Sequence, residues 1–290
     1  MTGGEVAAAA AAGKALSVAG GKLLGVDASD KKQLRDLAKD SPAMRDAAES
    51  YAKRVAVKQA ILLKIYQPLA RWTGVAQSYF EGDFATEMAQ KVADIPDEDV
   101  VAPKVSVAVP AMQGLAYSLE EPDLKEMYLN LLATATDGRR SDSAHPSFAE
   151  IIKQLSAGEA GLLLTLLRSG EQPIVQFKRI SEGPGFRVML KHVINLVVLK
   201  TGDPVEDVNV AVYIDNWIRL GLITADYTTF MIDDSRYDWV DGRPELERLR
   251  SEVQGDGMRI EWDKGIVRVT NFGRRFTSAI SDPLADPTGA

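Results

Sequence analysis

Six apolar residues, Leu124, Met127, Tyr128, Leu131, Leu132 and Ala135, fall at offsets of three, four, seven, eight and eleven. That spacing gathers side chains on one face of an α-helix. Pro122 supplies a start, because proline lacks an N–H that the first helical turn would leave unpaired, and Asp137-Gly138 supplies a stop. An apolar stripe of this length cannot face water, so it demands a second layer and makes helix packing the basis of the fold. Two further start signals follow: Ser147 with Glu150 and Ser156 with Glu159 each read as a capping box. The helix Ala160 to Leu167 is apolar on almost every side, which predicts burial over most of its circumference.

The residues around these signals carry a resemblance. They are Pro110-Ala111-Met112, Leu119-Glu120-Glu121-Pro122-Asp123-Leu124, Met127 to Ala133, His145-Pro146-Ser147-Phe148, Ile152-Lys153-Gln154-Leu155-Ser156 and Glu159-Ala160. This series resembles the bacterial abortive-infection alpha (Abi-alpha) family over about residues 100–170. From there to about 280 the likeness is looser, with Asn216-Trp217-Ile218-Arg219-Leu220-Gly221-Leu222-Ile223 as its main point. The resemblance implies a setting in defence against bacteriophage. It brings no catalytic residue set to transfer, and residues before 50 show no specific match.

At 290 residues, with 46% hydrophobic and 26% charged residues, the chain can bury a sizeable core. The absence of cysteine removes disulfides, thiol nucleophiles and thiolate metal sites, and suits a reducing cytoplasm. Two histidines, His145 and His192, leave little room for a histidine-based metal centre. No uncharged apolar run reaches the roughly 20 residues of a membrane-spanning helix, and no secretory signal is read at the N-terminus. The net charge of −7 is uneven: residues 1–75 carry 12 cations and 7 acids, leaving the remainder at −12. Such a basic front can steer toward an anionic surface or pair with the acidic remainder.

In chain order, residues 5–26 form an Ala-rich helix candidate with small residues at every fourth position: Ala9, Gly13, Ser17, Gly21 and Gly25. This stripe permits close helix packing or contact with lipid, while its glycines also suit a weakly ordered arm. A charged helix is expected over Asp30–Lys39, and a long one from Ser41-Pro42 toward Tyr66 and beyond Pro68. Its apolar face is read as Val55, Ala56, Gln59, Leu62, Leu63 and Tyr66, and its cations Lys53, Arg54, Lys58, Lys64 and Arg71 are candidate lipid or anion contacts. A solvated charged face is the plainer reading of the same residues. Phe80-Glu81-Gly82-Asp83 and Ile95-Pro96-Asp97 read as turns, and Val105–Val109 as a short strand or extended lead-in.

Pro173–Ile180 reads as a strand closed by Gly183-Pro184-Gly185, and Asp203-Pro204-Val205-Glu206 as a capping box before a helix with Val210, Tyr213, Ile214, Trp217 and Ile218 on one face. Gly221 stands at its C-cap, a strand Leu222-Ile223-Thr224 follows, and two strands pair around Asp263-Lys264-Gly265. Thr270 or Asn271 starts a last helix through Phe276 and Ile280. The fold class is therefore mostly α with a small antiparallel β component, an α+β chain. A helical N-terminal half precedes a winged-helix-like module whose enlarged wing is residues 226–257. The expected division is 1–50 helical arm, 51–155 helical domain, 156–281 winged-helix-like domain and 282–290 disordered tail.

No Walker loop, dinucleotide fingerprint or zinc pattern occurs, so no catalytic residue, cofactor or metal is assigned. His145, Pro146, Ser147 and Phe148 lie in the family-like segment and read as architecture, with His145 satisfying helix-terminal groups. Glu120, Glu121 and Asp123 complement the dipole of the helix they precede. The helix over 205–220 exposes Glu206, Asp207 and Asp215 with Arg219 its only cation, which sets phosphate backbones at a disadvantage. The leading expectation is a non-enzymatic cytoplasmic defence protein with a host or phage protein as partner. The alternatives are a membrane-active effector, peripheral at the inner membrane or assembled through the N-terminal stripe, and a nucleic-acid-binding regulator.

Overall fold

The computed structural model describes residues 42–73, 79–198, 200–253 and 257–281. The stripe Ala9, Gly13, Ser17, Gly21 and Gly25, the segment Asp30–Lys39 and residues 282–290 lie outside the described residues. The chain divides into two compact units, residues 1–157 with 278–290, and residues 158–277.

The first unit packs helices around one that is buried on every side. Helix α1 (Pro42–Thr73) starts at the proline, as its sequence signal implies, and runs through Pro68. Its buried stripe is Lys58, Leu62 and Tyr66: Leu62 and Tyr66 of the expected face are buried, while Ala56 is exposed and Val55, Gln59 and Leu63 are half-buried. Lys58 tolerates burial because its ammonium pairs with Asp97, which offsets the loss of hydration. Phe80–Phe84, expected as a turn, is a π-helical turn leading into α2 (Ala85–Lys91). Phe80 and Phe84 are both buried and stack at 5.3 Å, so apolar burial overrides the glycine and acid between them. A 3-10 turn, Asp97–Asp99, occupies the expected bend after Ile95.

Helix α3 (Val105–Tyr117) corrects the strand reading of Val105–Val109. A β-branched residue gives up only a few tenths of a kcal/mol in a helix, whereas burying each of Val107, Met112 and Leu115 contributes about 1.5–3 kcal/mol. Helix α4 (Pro122–Thr136) begins at the expected proline, and all ten residues from Met127 to Thr136 are buried. Tyr66 Oη reaches Thr136 Oγ1 at 2.7 Å and donates to the Leu132 carbonyl, joining α1 to α4. On α4, Asn130 Nδ2 and Thr134 Oγ1 donate to the carbonyls of Ile280 and Ala279, at 2.8 and 2.9 Å. Helix α5 (Ser147–Lys153) closes the bundle against α3 and α4.

The second unit is a four-stranded antiparallel sheet in the order β2-β1-β4-β3 with helices around it. Helix α6 (Ala157–Arg168) buries Glu159, Ala160, Leu163, Leu166 and Leu167 but leaves Gly161 and Thr165 exposed, a narrower buried face than its composition suggests. Strand β1 (Gln172–Ile180) pairs with β2 (Phe186–Val193), a strand the sequence reading left unassigned. The Asp203-Pro204 capping box does not form: Pro204 bridges to Val197 in an extended segment, and α7 (Val210–Arg219) starts six residues later. Gly221, at φ 73°, ends α7 as expected; its N–H bonds Ile218 and that of Leu222 bonds Trp217, the paired bonds of a Schellman cap.

Strand β3 (Ile223–Asp226) then pairs with β4 (Arg259–Val269), which also pairs with β1 along its length. Asp263-Lys264-Gly265 is thus mid-strand and no hairpin turn. Asp263 pairs across to Lys178, and a Cβ on Gly265 would lie 2.6 Å from the Tyr227 ring, so the glycine serves close approach. Within residues 226–257, the expected enlarged wing, lie a 3-10 helix, Asp234–Gly242, and α8 (Pro244–Glu252). Their Tyr237, Val240, Leu246 and Leu249 cover Val175, Phe177 and Val193 of the sheet. Helix α9 (Asn271–Ile280) starts on the expected cap, Thr270 Oγ1 accepting from Gly273 N at 2.8 Å.

Candidate functional site

Helices α3, α4 and α5 leave an open groove of about 610 Å³ in the first unit. Its depth depends on Gly114: a Cβ there would stand 2.2 Å from Cζ and Oη of Tyr128, so only glycine lets α3 approach α4 this closely. Leu124, Ile152 and Leu155 give it apolar walls, and Gln113, Glu121, Glu150 and Lys153 put polar groups around them. Tyr117 lies on the lining and is 88% exposed, while Tyr128 is buried with its Oη 3.4 Å from the Ala149 carbonyl. Burial, and then the Glu150 carboxylate, raise the Tyr128 phenol well above its ordinary value, so it stays a neutral donor. The volume lies in the range of small-molecule and cofactor sites, about 300–1,000 Å³.

The family-like motif builds the frame of this groove. His145 Nδ1 accepts from the Ser147 N–H at 3.2 Å and lies 2.7 Å from Ser147 Oγ, so the imidazole caps α5. The Ser147–Glu150 capping box therefore does not form, since Ser147 is already the first helical residue and Pro146 the N-cap. Phe148 is fully buried beneath the His145 ring, 5.6 Å away.

Of the five cations of α1, the four whose side chains are described divide between acidic partners and separate positions. Lys53 pairs with Glu49 at 2.8 Å, Arg54 lies 3.6 Å from Asp94, and Lys58 is buried on Asp97. Lys53, Arg54 and Lys58 share one depression with Asp94 and Asp97, Lys64 stands apart from its lining, and the Arg71 side chain lies outside the described residues.

The second unit holds two polar arrangements that no sequence signal exposed. His192, next to last in β2, stands at φ 62°, in the left-handed region that non-glycine residues rarely adopt. Its N–H donates to Tyr227 Oη at 3.0 Å, Nδ1 lies 3.1 Å from the same oxygen, and Nε2 lies 3.1 Å from Asp215 Oδ1. A carboxylate only accepts, so Nε2 carries the proton and Tyr227 donates to Nδ1. Burial lowers the His192 pKa despite Asp215, and burial pushes Tyr227 up to about 12. Beside His192, a cavity of about 100 Å³ is lined by Glu206, Arg243, Glu245 and Arg248. Arg243 is fully buried, paired with Glu245, and donates to the carbonyls of Leu196 and Val205.

The His192 shift has a pH consequence. The unfolded imidazole takes a proton near pH 6.5, while the folded one resists it, so the unfolded chain binds more protons below that value. Stability from this group is present above about pH 6.5 and falls as pH drops toward the folded pKa. Urea unfolding from pH 7 to 5 should show that fall, and His192→Asn, which tolerates positive φ and does not titrate, should flatten it. Equal slopes for both proteins would remove His192 from the acid response.

Fold and groove define an α+β protein whose helical unit carries an open groove. The chain belongs to the family described as Abortive infection alpha, whose model matches residues 76–280. No curated protein and no solved structure matches the chain. Among the described residues no helix is long and apolar enough to cross a membrane, and no group of three or more His, Cys, Asp or Glu residues could hold a metal ion.

Proposed function

We propose that this chain is an anti-phage protein of abortive-infection type that acts in the cytoplasm through protein contacts, with the α3–α4–α5 groove as the surface that receives its partner. The observation that carries this reading is a coincidence of place: residues 100–170, where the sequence resembles the family most clearly, line and frame the groove, and they lie within the span that the family model matches. Tyr117, an aromatic side chain 88% exposed on the groove lining, is of the residue type enriched at interface hot spots. The exposed side of α7 gives nucleic acid little to hold: Val212 and Asp215 are 64% and 70% exposed, Val208 just before the helix is 78% exposed, and Arg219 is the one exposed cation.

The test is protection of cells against a phage panel. Tyr117→Ala and Lys153→Glu change exposed positions and should leave the melting temperature unchanged while protection drops about tenfold or more, as loss of a hot spot of about 2 kcal/mol implies. Full protection by both variants would move the partner surface elsewhere.

A further inference from the structure

Among the described residues the sheet has two edges, β3 of four residues and β2 of eight. An edge strand leaves alternate N–H and C=O groups unpaired on its outer side. The His192 N–H is taken by Tyr227, so the open length of β2 runs from Phe186 to Lys191. Phe186, Arg187 and Lys191 are exposed there, and Val188, Met189 and Leu190 are half-buried.

Charge then selects the kind of strand this edge can accept. Arg179 of β1 and Arg187 of β2 are direct partners in the register. Cross-strand partners share one face with Cβ atoms about 5 Å apart, where like charges repel. Neighbouring Lys178 and Arg259 are paired with Asp263 and Glu261, but neither arginine of this pair has an acidic partner among the described residues. On a chain of net charge −7 this is an unneutralised cationic spot beside an open edge. A second copy is a poorer occupant in the register that pairs the full strand, since antiparallel pairing about Met189 would set Arg187 against Lys191. The charges that guard the edge against self-pairing are those that favour an acidic strand.

We propose that the outer edge of β2 takes an extended acidic segment of a partner protein as an added strand. Main-chain bonds run along Phe186–Lys191, and carboxylates lie on Arg187, with Arg179 reaching over from β1. This extends the protein-contact reading to a surface separate from the groove, and it can fail while that reading stands.

The experiment is fluorescence anisotropy of the full chain with a labelled octapeptide of alternating glutamate and valine. Binding should weaken with salt, fall about tenfold or more in Arg187→Glu and Arg179→Gln, and vanish when the peptide is N-methylated at alternate residues, which blocks strand pairing but keeps the charge. Tyr117→Ala should leave it unchanged. An unshifted melting midpoint in both arginine variants keeps the comparison valid, and if Arg187→Glu unfolds, Arg179→Gln alone decides. Equal binding of the methylated peptide would reduce the edge to an ionic contact. Equal binding of a lysine–valine peptide, tighter binding of a single-stranded oligonucleotide through the same arginines, self-association lost in Arg187→Glu, or no binding at millimolar peptide would each overturn the proposal.

Discussion

Arg243→Met is expected to destabilise the second unit by about 3–5 kcal/mol, the range for breaking a buried ion pair from one side. Arg243 is 1% exposed, and its Nε and Nη2 meet both carboxylate oxygens of Glu245 at 2.9 and 2.6 Å. Its remaining donors hold the Leu196 and Val205 carbonyls at 2.6 and 2.8 Å, which ties the extended segment after β2 to the start of α8. Methionine fills much of the volume but strands a buried carboxylate and two carbonyls. The double variant Arg243→Met/Glu245→Met should recover part of the loss, because replacing both partners of a buried pair by apolar groups is often close to neutral. It should not recover all of it, since each carbonyl left without a donor costs about 1–3 kcal/mol. Urea unfolding of the single and double variants measures both quantities. A loss below about 1 kcal/mol in the single variant would mean that water replaces the guanidinium and the clamp is not structural.

Local signals in this sequence were reliable where one short stretch determined the outcome. The α4 stripe, proline at its start, the Thr270 cap and Gly221 at the end of α7 each depend on residues within one or two turns, and each holds in the structure. The Ser147–Glu150 box is a local signal that fails locally, displaced by His145 and Pro146; the other misreadings share the opposite property. Val105–Val109 looked extended because β-branched residues favour strands, yet the bundle offered a helical face enough apolar contact to reverse a small preference. Asp203-Pro204 had the chemistry of a cap, but Arg243, about 40 residues away, draws the segment into an extended bridge. Asp263-Lys264-Gly265 had the chemistry of a turn, but Lys178 and Tyr227 use its acid and its missing Cβ for packing. Strand β2 was missed because two register shifts against β1 break the alternation that marks a half-buried strand.

The groove was half legible for the same reason. Its lining residues were visible as members of helices, and His145 as a helix-terminal group, but a groove is a property of three helices at once. Gly114 was the available signal: a glycine between Gln113 and Leu115 in an apolar run costs helix stability and implies close approach of another element. His192 and Arg243 gave no such hint, because their partners lie between 23 and 47 residues away in sequence, apart from Glu245.

Leu131→Ala should produce the largest loss in the first unit, in the upper part of the about 2–5 kcal/mol found for buried leucine truncation. The size depends on whether neighbours can close the void. Leu131 is 0% exposed in the middle of the run from Met127 to Thr136 that is buried on every side. Around it, Thr136 is held by Tyr66, and Asn130 and Thr134 are held by the carbonyls of Ile280 and Ala279. Helix α4 cannot shift to fill the space without breaking those bonds, so most of the cavity should persist. Leu131→Met keeps nearly the same volume and should cost less than about 1.5 kcal/mol, which separates the cavity effect from a general intolerance of substitution. Thermal and urea unfolding of both variants provides the comparison. With about 5–15 kcal/mol as the stability of a typical domain, the alanine variant should sit near the threshold of folding, with a sharply lower midpoint. An unchanged midpoint would take α4 out of the core and with it the frame of the groove.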